Sequence, residues 1–217
     1  VTHMEGMFKN CGAFNIPVPS WNLPNVQSLD EVFSGCENFN NGRNTDMSWV
    51  TSDKLLSMNN LFFGCKKFNQ NMTATYPSKN VGSTWNLSNV TSINTLFANC
   101  QKFNGNVNNW DLTSVTDLSG MFFTCPIFNN GDPAPTGGLI AIKKMYWYTT
   151  VNLKSTNSMF RGCQSFNQMI QPDTSNWSSP TASLWNLTGV TDMVSMFEDC
   201  TSFNGNVDFW FMKSATS

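Results

Sequence analysis

Apolar residues recur every third position along this chain, as in Val-x-x-Leu-x-x-Met-Phe-x-x-Cys-x-x-Phe-Asn at residues 115–129. The second half of that pattern, hydrophobic-Phe-x-x-Cys-x-x-Phe-Asn, occurs seven times, at 7–15, 32–40, 61–69, 96–104, 121–129, 159–167 and 196–204. A spacing of three predicts a short helical or 3-10 turn. The Phe-Asn-x-x-hydrophobic piece that follows, such as 103–107, has room for a short strand only. Upstream lies Trp-Asn/Asp-Leu-x-x-Val, seen at 21–33, 85–97, 110–122 and 185–197. Two copies carry one extra residue, from Trp49 to Phe62 and from Trp147 to Phe160.

Self-similarity of this kind is the mark of a repeat array, in which no unit buries its apolar set alone. The shortest distance between successive cysteines is 25 residues, which sets the basic unit. The chain therefore reads as a single seven-coil solenoid over 1–217. Two phenylalanine columns are expected to stack in the core: Phe8, Phe33, Phe62, Phe97, Phe122, Phe160 and Phe197, and Phe14, Phe39, Phe68, Phe103, Phe128, Phe166 and Phe203. Stacked rings add directional packing to buried area.

Every cysteine belongs to the motif: Cys11, Cys36, Cys65, Cys100, Cys125, Cys163 and Cys200. Equivalent residues of neighbouring coils sit about 4.8 Å apart with side chains in parallel, a poor approach for an S–S bond. A ladder of buried free thiols is expected instead. Cys100→Ser should then cost about 1–3 kcal/mol by placing a hydroxyl in an apolar column. The motif ends in an asparagine column, Asn15, Asn40, Asn69, Asn104, Asn129, Asn167 and Asn204. Asparagine satisfies backbone groups at turns and stacks into amide ladders, so a structural role is expected.

Apart from those single extra residues, the length changes all fall between Phe-Asn and the next Trp. The basic link is five residues, as at 16–20, 105–109 and 205–209. It grows at 41–48, 70–84, 130–146 and 168–184. Insertions at one point of a repeat emerge on one flank, often the binding flank. Tyr76, Lys79, Lys143, Lys144, Tyr146 and Trp177 are the candidate contact residues there. The competing reading is that these loops fold back over a sheet edge.

Charged residues make up 12% of the chain, about half the usual share, and the net charge is −2. That excludes the basic stripe of a nucleic-acid groove. No apolar run reaches the roughly 18–20 residues of a membrane span. Metal centres need clustered cysteines or histidines, and here there is no C-x-x-C and one histidine, His3, which aligns with Asp117 and Asp192 on the surface. No nucleophile elbow, zincin or phosphate-loop motif is present, so neither enzyme activity, cofactor nor metal is expected. Of five N-x-[ST] sequons, Asn71 and Asn176 lie in insertions, while Asn86, Asn89 and Asn186 belong to the repeat.

The repeat resembles the BspA-like leucine-rich-repeat proteins, in the subfamily written Trp-Asp-x-Ser-Asn-Val-Thr-Asp-Met-x-x-Met-Phe-x-x-Cys-x-x-Phe-Asn. Residues 185–204 follow that consensus nearly throughout, and the resemblance covers essentially the whole chain. It implies a right-handed leucine-rich-repeat solenoid of short strands and short helical or 3-10 turns. It also implies a non-enzymatic structural or protein-interaction role at a cell or virus-particle surface, as in bacterial adhesins and their protist and large-DNA-virus relatives. The alternative is a glycan-binding adhesin module using the insertion flank. Expected partners are proteins of a surface assembly or host surface, and glycans under the alternative. Val1-Thr2-His3-Met4 aligns with residues 190–193, so the chain starts in mid-coil. The open ends are expected to continue into a longer protein or, failing that, to dock head to tail.

Overall fold

The computed structural model describes residues 1–18, 21–43, 47, 49–72, 85–133, 145–170, 185–207 and 210. Within them the repeats lie one on the next in parallel. A single line of parallel bridges runs from His3 through Ser28, Ser57, Ser92, Asp117 and Ser155 to Asp192. Each bridging residue stands eight positions before the cysteine of its repeat.

From that line to the cysteine, the backbone bonds alternate in destination. In the second repeat, the N–H groups of Leu29, Glu31, Phe33 and Gly35 donate to carbonyls of the third repeat at 2.7–3.0 Å. Those of Val32, Ser34 and Cys36 donate three residues back within their own repeat, to Leu29, Glu31 and Phe33. The turn train is therefore not the 3-10 helix that the spacing suggests. A helix would keep every N–H inside its own segment. Here two residues per repeat take positive φ and turn alternate peptides toward the neighbour. They stand five and one positions before each cysteine, from Gly6 and Asn10 to Ser195 and Asp199. Two of them, Thr95 (φ 50) and Thr124 (φ 53), are β-branched residues held where branching is disfavoured.

Strands form elsewhere than expected. β1 (Asn22–Leu23) pairs in parallel with β2 (Val50–Thr51), and β3 (Trp110–Asp111) with β4 (Trp147–Tyr148). These are the Trp-Asn/Asp-Leu segments, whereas 103–107 forms no strand. The cause is local: the N–H groups of Asn104 and Asn106 donate to the side chains of Asn69 and Asn71, so no backbone ladder builds there. Among the described residues the one helical element is a 3-10 turn at Asn41–Arg43, bent at Gly42, where a Cβ would sit 2.2 Å from the Pro17 ring.

The core is a continuous aromatic pile. Rings of the first phenylalanine column lie 5.5–5.8 Å apart from repeat to repeat. Rings of the second lie 5.6–6.0 Å apart. Within one repeat the two rings close to 3.9–4.2 Å. Trp49, Trp85, Trp110, Trp147 and Trp185 are buried beside them. Each indole N–H is satisfied by a carbonyl of the preceding repeat, as in Trp147 to Val107 at 2.7 Å, which is what a buried tryptophan requires.

Candidate functional site

The invariant columns are occupied by one another. Each thiol from Cys36 to Cys200 donates to the carbonyl of the phenylalanine one repeat earlier, Phe8, Phe33, Phe62, Phe97, Phe122 and Phe160, at 2.9–3.1 Å. That carbonyl already accepts its own repeat's cysteine N–H, so both lone pairs are used. All seven cysteines are free. Burial pushes the Cys125 thiol up to about 12 and the Cys36 thiol to about 11. Cys65, Cys100 and Cys163 are raised well above the ordinary value of 9.0, by burial first and then by neighbouring cysteines. Cys11 differs, being exposed. A thiol reagent at pH 8 is expected to label one cysteine rapidly in the native protein, with Cys11→Ser abolishing that reaction, and all seven after unfolding.

The asparagine column forms a second ladder. The N–H of Asn40, Asn69, Asn104, Asn129, Asn167 and Asn204 each donates to Oδ1 of the preceding asparagine at 2.7–2.9 Å. Asn129 is the buried member of the column. Its Oδ1 accepts from the Asn167 N–H and the Gln168 amide, and its Nδ2 donates to the Pro133 carbonyl. Asn129→Ala strands these buried groups and is expected to cost about 2–3 kcal/mol, read as a shifted urea midpoint. Asn204 is exposed, so Asn204→Ala strands no buried group and is expected to change the midpoint little.

A polar row flanks the bridges. Ser57 donates to Asp30 Oδ1 at 2.5 Å, Ser92 to Asn59 Oδ1 at 2.6 Å, and Asn157 Nδ2 to Asp192 at 3.2 Å. His3 belongs to this row and pairs with Glu5 at 3.1 Å on the surface. Among the described residues no group of three His, Cys, Asp or Glu side chains is placed to hold a metal.

Of the sequence-derived contact residues, Tyr146 lies on the surface with 39% of its area exposed. Its backbone N–H donates to Asn108 Oδ1 at 2.9 Å. Tyr76, Lys79, Lys143, Lys144 and Trp177 lie outside the described residues, as do most of the insertions. Asn71 is exposed, and Asn176 is outside the described set.

A family model described as "Mycoplasma protein of unknown function, DUF285" matches residues 1–83, 74–182 and 142–217. The chain belongs to the DUF285 family. The three matches overlap and together take in every residue, as a repeat unit used several times over would produce. No curated protein and no solved structure matches the chain.

The outward positions behave differently from the ladders. Side chains two before, one after and two after each cysteine alternate with the inward Phe, Cys and Phe. Two before the cysteine they run Lys9, Ser34, Phe63, Ala98, Phe123, Arg161 and Glu198. Sequence reasoning passed over these positions because only the repeated residues stood out. The signal was present in them: they vary most from copy to copy, and in two copies they carry phenylalanine.

Proposed function

We propose that this DUF285 chain is a non-enzymatic repeat scaffold of a cell or particle surface, which presents outward side chains to other proteins. One observation supports the reading. Inward and ladder-forming positions repeat almost without change, while outward positions change charge, size and polarity from one repeat to the next. A catalytic unit concentrates its chemistry at one place, whereas an array distributes contacts along a surface. The parallel bridges, aromatic pile and consensus at 185–204 support a right-handed BspA-like leucine-rich-repeat solenoid as the architecture.

The test of location is labelling of intact cells or particles with a membrane-impermeant biotin reagent. The chain should be labelled before lysis, and labelling only after lysis defeats the surface reading. The test of role is adhesion of beads coated with the protein to the surface of those cells. Replacing 130–146 by the five-residue link of 105–109 should keep the unfolding midpoint and weaken adhesion. Unchanged adhesion with a lost fold would mean that the loops cover the core. The exposed Tyr146 ring supports glycan recognition as the second reading, for which a glycan array of native and Tyr146→Ala protein is decisive.

A further inference from the structure

This inference rests on the reading above, that the chain presents surfaces to proteins, and it concerns a different face from the insertion flank. We infer that the outward face of the third to fifth repeats is a docking surface for an extended protein segment that alternates acidic and apolar residues. Two rows run side by side there. Two positions before the cysteines stand Phe63 and the half-buried Phe123, with the fully buried Ala98 between them, brought together by bonds from the Gly64 N–H to Ala98 and from the Asn99 N–H to Phe123, both 2.8 Å. Two positions after them stand Lys67, Lys102 and Ile127. Phe63 is 36% and Ile127 40% exposed.

Charge separates this patch from the rest of the face. Lys9 pairs with Glu31 at 2.8 Å, Lys66 with Glu37 at 2.7 Å, and Arg161 with Glu198 at 2.8 Å. Among the described residues Lys67 and Lys102 make no ion pair. They occupy the same position of adjacent repeats, joined through the Lys102 N–H to the Lys66 carbonyl at 3.1 Å. Like charges one rung apart repel, so this arrangement is unfavourable until an anion lies across it. Two exposed apolar side chains beside two unneutralised cations match a strand with carboxylates on one side and aliphatic groups on the other. Side chains of such a strand alternate in direction every residue, about 3.3 Å apart. A sulfated glycan would neutralise the lysines and leave Phe63 and Ile127 in water.

The probe is a fluorescein-labelled peptide of four Glu-Leu repeats, titrated with the whole protein and followed by anisotropy. Phe63→Ser and Lys102→Glu are each expected to weaken binding at least fivefold, with unchanged unfolding midpoints. Gln164→Glu, on the same face two repeats away from the lysines, is expected to leave it unchanged. A Lys-Leu peptide should bind the Lys67→Glu/Lys102→Glu protein better than the native one. The inference is overturned if a Glu-Ser peptide binds as well as Glu-Leu, or if Gln164→Glu weakens binding equally. It is also overturned if a sulfated oligosaccharide displaces the peptide, or if native protein does not bind it at all. A failed titration removes this face and leaves the adhesion test above to judge the scaffold reading.

Discussion

Raising the pH from 8 to 10 is expected to lower folding stability, by about 1.4 kcal/mol for a thiol such as Cys125 whose folded-state value is pushed up to about 12. Five thiols, Cys36, Cys65, Cys100, Cys125 and Cys163, are fully buried. In the unfolded chain they titrate near 9.0, while in the folded protein Cys125 holds its proton up to about 12. Between those values the unfolded state sheds protons that the folded state keeps. The stabilisation is thus complete below pH 9 and drains away as pH rises toward 12. A thiol shifted as far as Cys125 costs about 1.4 kcal/mol per pH unit in that window. Urea midpoints followed by tryptophan fluorescence at pH 7, 8, 9 and 10 check this. Replacing Cys65 and Cys100 by alanine should flatten the slope above pH 9 without abolishing it, because the other raised thiols remain. A midpoint that stays flat to pH 10 would show that the thiols ionise freely in the folded protein.

The same column shows where sequence reading stops. Its periodicity and its free thiols were legible, because one cysteine recurs at a fixed place in every copy. The partner of each thiol was not, because a backbone carbonyl leaves no trace in the sequence. Knowing the partner changes the expectation for Cys100→Ser. Phe62 offers its carbonyl at 3.0 Å to whatever donor stands at position 100. A serine hydroxyl would be satisfied there, which places its cost at the low end of the 1–3 kcal/mol expected for an apolar column.

The turn train teaches a related lesson. Val115, Leu118, Met121 and Phe122 are all fully buried, as a three-residue period demands. That period cannot tell a 3-10 helix from a run of turns with alternating bond destinations. A finer signal was available one position before each cysteine, where Gly35, Gly64, Gly162, Asn10 and Asn99 appear. Glycine and asparagine are the residues that enter the left-handed region most readily. Five positions before the cysteine the signal is weaker, carried by Gly6, Asn60 and Gly120 but not by Glu31, Thr95, Ser158 or Ser195. The neighbouring repeat imposes positive φ by collecting the N–H.

Phe122→Ala is expected to cost about 3–5 kcal/mol, the range for emptying a large aromatic from a rigid core. Phe122 is fully buried and stacks on Phe97 and Phe160 at 5.5 Å, on Phe128 at 3.9 Å, and on Trp147 at 6.0 Å. Its column neighbours are held in place by backbone bonds to the following repeats, from the Phe97 N–H to Met121 and from the Phe160 N–H to Met196, which resists collapse into the void. In an array stabilised by nearest-neighbour contacts, a weakened rung also uncouples what lies to either side. The urea transition of Phe122→Ala should therefore broaden or split, besides moving to lower denaturant. Phe8→Ala makes the comparison. Phe8 stands in the first repeat, half-buried, with Phe33 on one side only. Its loss should cost about 1–2 kcal/mol and leave a single sharp transition, since partial exposure scales down both the transfer and the cavity contributions. Equal costs at the two positions would mean that stability is set within each repeat and not by the stacking between them.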